Sequence, residues 1–235
     1  MNGADVTQRI LIRARAFGAS SAGVTSLSLL QGSPSYQKTG GRIRAEGARS
    51  VLVISMRHEA NESELDWWAR VPGSTRGNRR LIEIAADLTQ WLKDEFGMVA
   101  RLAPYQIESG GIFLKDAAAL AGLGVIGKNN LLVTPEFGPR VRLRSLLLDA
   151  ELTPTAPVDF SPCRECNEPC RKACPKHAFE QESNAEYHRV LCDKQMVKDE
   201  SNALVVEKWA DDGSPAAVVK YCRACELSCP ARERL

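Results

Sequence analysis

At 235 residues the chain has room for one mid-sized domain and a second, smaller one. Its composition, 44% hydrophobic and 26% charged, is ordinary for a soluble globular protein. The net charge of +2 sets up no strong field for collecting polyanions, so charge gives nucleic-acid binding no support.

No apolar run approaches the roughly 20 residues needed to span a bilayer, so no membrane partner is expected. The opening Met1-Asn2-Gly3-Ala4-Asp5 leads into an arginine-containing amphipathic stretch and lacks the regions of a secretory signal. A cytoplasmic location is therefore expected. Thiols stay reduced there, and clustered cysteines argue for metal rather than disulfides.

In chain order, Ile10, Leu11, Ala14 and Phe17 are spaced for one helix face, with Gly18 as the stop. Ala22-Gly23-Val24 and Val51-Leu52-Val53-Ile54 read as strands, the second apolar enough to be central. From Gly77 to Phe96, Leu81, Ile84, Ala85, Leu88, Leu92 and Phe96 predict a long amphipathic helix closed by Gly97. Met98 to Leu102 predicts a strand, and Leu114 to Ala121 an Ala-rich helix ending at Gly122. Arg140, Arg142 and Arg144 alternate with apolar residues before Leu146-Leu147-Leu148, which predicts a strand with one wet face. Thr153-Pro154-Thr155-Ala156-Pro157 reads as a linker. The predicted division is an α/β domain over residues 1–155 and a cysteine domain over 156–235.

Residues 1–150 contain no cysteine, and residues 163–229 contain all eight. Cys163, Cys166 and Cys170 repeat the C-x2-C-x3-C spacing of Cys222, Cys225 and Cys229. Cys174 and Cys229 each precede a proline, and Cys192 stands alone between the runs. A cubane [4Fe-4S] cluster takes four thiolates, and the cysteine before a proline reaches the other cluster of a pair. Eight cysteines therefore make two sets of four with none left over. Zinc is the competing reading, but its sites pair two separated C-x2-C knuckles, whereas each run here adds a third cysteine. Disulfides fit poorly with a reducing compartment. One departure stands out: the usual first run spaces its third cysteine by two residues, and here Asn167-Glu168-Pro169 supplies three. A small bulge would absorb the extra residue and keep Cys170 as a ligand.

With these residues in hand, the sequence resembles the epoxyqueuosine reductase family, cobalamin-dependent iron–sulfur enzymes related to reductive dehalogenases. Ala48-Arg49-Ser50-Val51 looks like the family's strand entry. The run KDAAALAGLGVIGKNNLL, from Lys115 to Leu132, looks like its Ala-Gly-Leu-Gly segment, and Pro135-Glu136-Phe137-Gly138 continues it. The likeness runs in order from about residue 5 to about residue 230. It implies a nitroreductase-like α/β (α+β) cobamide-binding domain followed by a ferredoxin-like domain with two [4Fe-4S] clusters. The implied partition gives Cys163, Cys166, Cys170 and Cys229 to one cluster and Cys174, Cys192, Cys222 and Cys225 to the other.

The resemblance implies a bound cobalamin or other cobamide, with Ser109, Leu132 and Arg142 among its contacts. It also implies a proton donor fourteen residues before the first Gly of the Ala-Gly-Leu-Gly segment. Counting back from Gly122 lands on Glu108, where the family carries Asp, so the acid is retained one methylene longer. A carboxyl facing a corrinoid and shielded from water would have a raised pKa, suiting a general acid. The bland reading is a surface carboxylate opening the Glu108-Ser109-Gly110-Gly111 turn. Electrons would come from an external donor of ferredoxin or flavodoxin type, and the substrate would be a small molecule or a modified nucleoside. Two departures weaken tRNA as substrate. The family's helical-repeat extension does not follow the second cysteine run before Leu235. Its Gly-Arg-Asp-Tyr-His segment is replaced by Ser74-Thr75-Arg76-Gly77-Asn78.

The remaining candidates read as structural. Arg140, Arg142 and Arg144 fit a solvated sheet face better than a phosphate or corrinoid contact. Lys128 in Gly127-Lys128-Asn129-Asn130 lacks P-loop spacing, and Gly122-Leu123-Gly124 does not open a helix after a strand. His58, His177 and His188 show no ligand spacing. The resulting expectation is an oxidoreductase passing electrons through two clusters to a cobamide that reduces a substrate. The alternative is an electron-transfer or corrinoid-handling protein without substrate chemistry of its own.

Overall fold

A computed structural model of the chain describes residues 3–41, 43, 45–179, 187–210 and 212–231; Met1, Asn2 and Leu235 of the sequence reading lie outside the described residues. In chain order the elements begin with helix α1 (Gly3–Ala16), strand β1 (Ser21–Ser26), helices α2 (Leu27–Gln31) and α3 (Pro34–Thr39), and strand β2 (Ser50–Arg57). Next come β3 (Trp68–Ala69), α4 (Arg76–Phe96), β4 (Ala100–Leu102), α5 (Leu114–Leu120), β5 (Val125–Ile126), β6 (Leu132–Val133) and β7 (Val141–Leu148). The cysteine region holds α6 (Pro169–Lys172), α7 (Arg189–Glu200), β8 (Leu204–Val206), β9 (Ala216–Val219) and α8 (Ala224–Leu227). The architecture is mixed α/β. It divides into two compact units, one of Met1–Arg57, Leu81–Ile126 and Val141–Phe160, the other of His58–Arg80, Gly127–Arg140 and Ser161–Leu235.

The first unit is built on a four-stranded antiparallel sheet in the order β1-β2-β7-β4. Val51, Leu52, Val53 and Ile54 are fully buried because β2 is an interior strand covered on both faces. On one face Ile10, Leu11 and Ala14 of α1 and Leu81, Ile84, Leu88 and Leu92 of α4 pack on Val24, Leu52, Ile54, Leu146 and Leu148. Gly97, left-handed at φ 67, ends α4 where the sequence places the stop. On the other face lies α5, with Ala117 and Ala118 fully buried. Gly23 permits this approach, since a Cβ there would collide with the Ala121 carbonyl and the Leu123 side chain.

Two expectations change. The arginine-bearing strand has no wet face at Arg144, which is 7% exposed, and Arg140 is 9% exposed. The physical reason is topological for Arg144, which sits opposite Ile54 on the face that Leu146 and Leu148 continue into the core. The Arg144 guanidinium lies 5.2 Å from the Tyr105 ring centroid, and burial lowers its pKa. The Pro/Thr stretch is tied down within the first unit. The Thr155 hydroxyl accepts from the Val24 N–H at 2.9 Å and is 2.6 Å from the Ala121 carbonyl.

The second unit contains a three-stranded sheet in the order β3-β9-β8. Its small core centres on Trp209, 1% exposed, which stacks on Trp67 with ring centroids 5.7 Å apart. Arg76 covers Trp209 and Lys220 covers Trp67, at 4.2 and 4.0 Å from the ring centroids. Helix α7, which carries Cys192, buries none of its residues.

Candidate metal centre

The first cysteine run accommodates its extra residue by a single left-handed step. Glu168 stands at φ 55 and ψ 45, immediately before Pro169, which opens the one-turn helix α6. A non-glycine residue in this region costs about 1–2 kcal/mol, and two cations hold this one in place. The Lys128 ammonium donates to Glu168 Oε1 at 2.5 Å, and Arg171 Nη1 donates to Glu168 Oε2 at 2.8 Å. The Lys128 hydrogen bond, ahead of Arg171, holds the Glu168 carboxyl below its usual range. The step turns Cys170 inward, where it is 5% exposed.

Cys163, Cys166, Cys170 and Cys229 line one pocket together with Lys128, Asn129, Glu168 and Pro230. The Cys170 and Cys229 thiols hydrogen-bond each other. That contact, then burial, then the charges of Cys229 and Cys166, push the Cys170 pKa far up. The other four cysteines form a second neighbourhood. Burial first, then nearby Cys222, Glu226, Cys174 and Cys192, pushes the Cys225 thiol up to about 12. Cys222 is raised by burial first, with Asp199, Cys174 and Cys192 adding to it. Thiols gathered within reach of one another are a donor set that a cationic core takes as thiolates. Both sets of four therefore fit a metal centre by the chemistry of their donors. All eight cysteines are free, with no disulfide among them. Among the described residues no three His, Cys, Asp or Glu side chains are grouped to hold one metal ion directly.

Hydrogen bonds already point at these sulfurs. The Ala178 N–H donates to Cys174 Sγ at 3.4 Å, and the Tyr187 hydroxyl bonds to Cys192. On the far side of the second run, Asp199 of α7 accepts from the Cys222 N–H at 2.8 Å, and Glu200 accepts from the Tyr221 hydroxyl. Helix α7 thus carries one cysteine of the second set and ties down another.

The Gly127-Lys128-Asn129 turn connects the two runs. Lys128 reaches Glu168 of the first, while Asn129, 3% exposed, donates from Nδ2 to the Cys225 carbonyl of the second at 3.3 Å. Gly127 is required by crowding, because a Cβ there would stand 2.7 Å from Val133, 2.9 Å from Asn129 Oδ1 and 3.6 Å from Cys163 Sγ. The sequence suggests a turn joining helix to strand around Lys128; the structure has a turn there, but between β5 and β6, and its Lys128 and Asn129 side chains hold the cysteine runs.

The other candidates lie outside this cluster of cysteines. Glu108 and Ser109 are exposed on a single turn of 3-10 helix, Ile107–Ser109, closed by left-handed Gly110. Arg142 is half-buried and donates to the Val141 carbonyl, and Leu132 is 4% exposed. His58, read as structural, is fully buried with Nδ1 2.7 Å from Asp66 Oδ1. His177 is left-handed at φ 51, just after Cys174 and Pro175, and His188 caps the start of α7. No helix among the described residues is long and apolar enough to cross a membrane.

No protein-family model matches the chain. It is 43% identical over 70 residues to a tetrachloroethene reductive dehalogenase of Desulfitobacterium hafniense, covering 28% of this chain and 12% of that protein. It is 26% identical over 200 residues to an epoxyqueuosine reductase of Lactococcus garvieae, covering 80% of this chain and 53% of the relative. The chain thus spans about half the length of that reductase and a smaller part of the dehalogenase. Among solved structures, epoxyqueuosine reductase from Streptococcus thermophilus superposes with a TM-score of 0.64 at 18% identity, over 97% of this chain and 66% of that one. An epoxyqueuosine reductase bound to an epoxyqueuosine-modified tyrosine tRNA stem loop gives 0.64 at 16% identity, with the same coverage. A catabolic reductive dehalogenase in complex with 3-bromo-4-hydroxybenzoic acid gives 0.70 at 18% identity, over 98% of this chain and 32% of that one. The chain is similar in sequence to epoxyqueuosine reductases and to reductive dehalogenases, and it shares their fold.

Proposed function

We propose that the chain is an iron–sulfur oxidoreductase of the epoxyqueuosine reductase type, working with two [4Fe-4S] clusters and a cobamide. What supports this reading is that four of the eight cysteines line one pocket while Cys174, Cys192 and Cys222 lie near enough to Cys225 to act on its thiol, with the Gly127-Lys128-Asn129 turn reaching both runs. Cys163, Cys166, Cys170 and Cys229 would hold one cluster, and Cys174, Cys192, Cys222 and Cys225 the other. When bound, such clusters supply one-electron transfer. The residues of the chain do the rest. Lys128 and Arg171 fix the bulge that points Cys170 inward, and Asn129 fixes the Cys225 backbone. The Ala178 N–H is aimed at the Cys174 sulfur and helps to orient it.

A cobamide, when bound, supplies the reducing centre in the homologous enzymes as the sequence resemblance describes them. Glu108 is proposed to give the substrate its proton from a carboxyl oxygen; it is exposed on its turn, so the shielding that suits a general acid would have to come from bound corrinoid and substrate. Ser109, Leu132 and Arg142 are proposed as cobamide contacts. Leu132 is buried, so its contribution would come from the backbone. The substrate proposed is a modified nucleoside, free or within tRNA, and the electron donor a small external redox protein.

Turnover separates the readings. Reconstituted protein given cob(II)alamin, a reductant and an epoxyqueuosine-modified stem loop should form the reduced nucleoside, and Glu108→Gln should lose product while keeping iron and cobalt. Reversible electron uptake with no product, unchanged by Glu108→Gln, would assign an electron-transfer or corrinoid-handling protein instead.

A further inference from the structure

The second cysteine run is gripped by a buried network of charges that the proposed electron path does not itself require. Arg223 lies between Cys222 and Cys225, and Glu226 directly follows Cys225. Arg223 Nη1 pairs with Asp66 Oδ2 at 2.7 Å, and Arg223 Nη2 with Glu226 Oε1 at 2.5 Å. The side chains of Asp66, Arg223 and Glu226 are 9%, 13% and 6% exposed. Behind Asp66 stands His58, 0% exposed, with Nδ1 2.7 Å from Asp66 Oδ1. The histidine is fitted closely, since a Cβ on Gly77 would collide with its ring. Asp66 and Arg223 are 157 residues apart, so a segment distant in sequence supplies the counter-charge to the cysteine loop.

Pinning a loop does not need charge. The same loop is already held through its backbone, by the Asn129 amide on the Cys225 carbonyl and by the Asp199 carboxylate on the Cys222 N–H, without the Arg223 side chain. Burying ions costs desolvation that well-packed apolar side chains would avoid. What full charges add is an electric field at whatever the loop binds, and the potential of a cluster responds to nearby charge. We propose that Asp66 and Arg223, steadied by His58 and Glu226, are positioning residues that set the reduction potential of the cluster held by Cys174, Cys192, Cys222 and Cys225. This rests on the two-cluster reading above.

The test is an EPR-monitored redox titration of the reconstituted full chain and three variants, with iron counted in each. Wild type should show two clusters with separate midpoints; a chain without a second cluster would overturn the two-cluster reading itself. Asp66→Asn removes negative charge and should raise the second midpoint by about 59 mV or more, a tenfold change in its one-electron equilibrium. Arg223→Gln should lower it, and the first cluster should stay put in both. The double variant replaces the ion pair by two neutral amides and should return near wild type. If a single variant fails to hold its cluster while the double holds it, the pairing is still supported. Shifts of the same sign in both single variants, no shift in either, or equal movement of the first cluster would overturn the inference. Loss of the second cluster from the double variant would overturn it as well.

Discussion

Lys128 donates to Glu168 at 2.5 Å, joining the turn between β5 and β6 to the one residue by which the first cysteine run exceeds the usual spacing. The extra residue does not push Cys170 out of the set. It is spent on a left-handed step whose carboxylate is fixed by two cations, and Cys170 stays beside Cys229.

That relationship predicts the behaviour of Glu168→Gly. Glycine takes the left-handed conformation without the steric cost of about 1–2 kcal/mol, which offsets the lost ion pairs to Lys128 and Arg171, so thermal stability should change little. The cluster nearest Lys128 should nonetheless be lost faster in air, because nothing then holds the bulge. Timed loss of absorbance with iron counting checks this. Equal loss from both clusters would contradict it.

Cys170→Ala should halve the iron of the reconstituted protein and leave the EPR signal of the second cluster in place. A variant that retains full iron would show that Cys170 is not a ligand and that the bulge carries it out of the first set.

Asn129→Ala removes a buried amide that donates to the Cys225 carbonyl and accepts from the Leu131 N–H. Leaving those groups unpaired should cost about 1–3 kcal/mol. Chemical denaturation should report that loss, with the second cluster more labile than the first. An unchanged midpoint would mean that water replaces both bonds.

Leu88→Ala should cost about 2–5 kcal/mol, since Leu88 is fully buried under the sheet of the first unit. Its effect should appear in denaturation midpoints and not in the potentials of the clusters. A shifted potential would show that the core and the metal centre are coupled.

Much of the first unit was legible because its signals are local. The run Val51 to Ile54 is apolar on both faces and became an interior strand, and the periodicity from Leu81 to Phe96 became α4 with Gly97 as its stop. The arginine strand was misread at Arg144 because alternation reports two faces without saying which neighbours cover them. Helix α7 and the strands β8 and β9 gave no usable pattern, since α7 buries no residue and β8 is largely exposed. The cysteine spacing carried the donor set by itself. The residues that support it, Lys128, Asn129, Glu168, Asp66 and Arg223, act across long sequence separations and are visible only in the fold.

The most direct measurement is an anaerobic iron, sulfide and cobalt determination with EPR of the reduced protein, before and after adding cob(II)alamin. Two cubanes on eight cysteines predict about eight irons and eight sulfides per chain, with a cobalt signal altered by the protein. A colourless zinc protein, about four irons, or cobalt spectra identical to free cob(II)alamin would contradict the two-cluster, cobamide-dependent reductase.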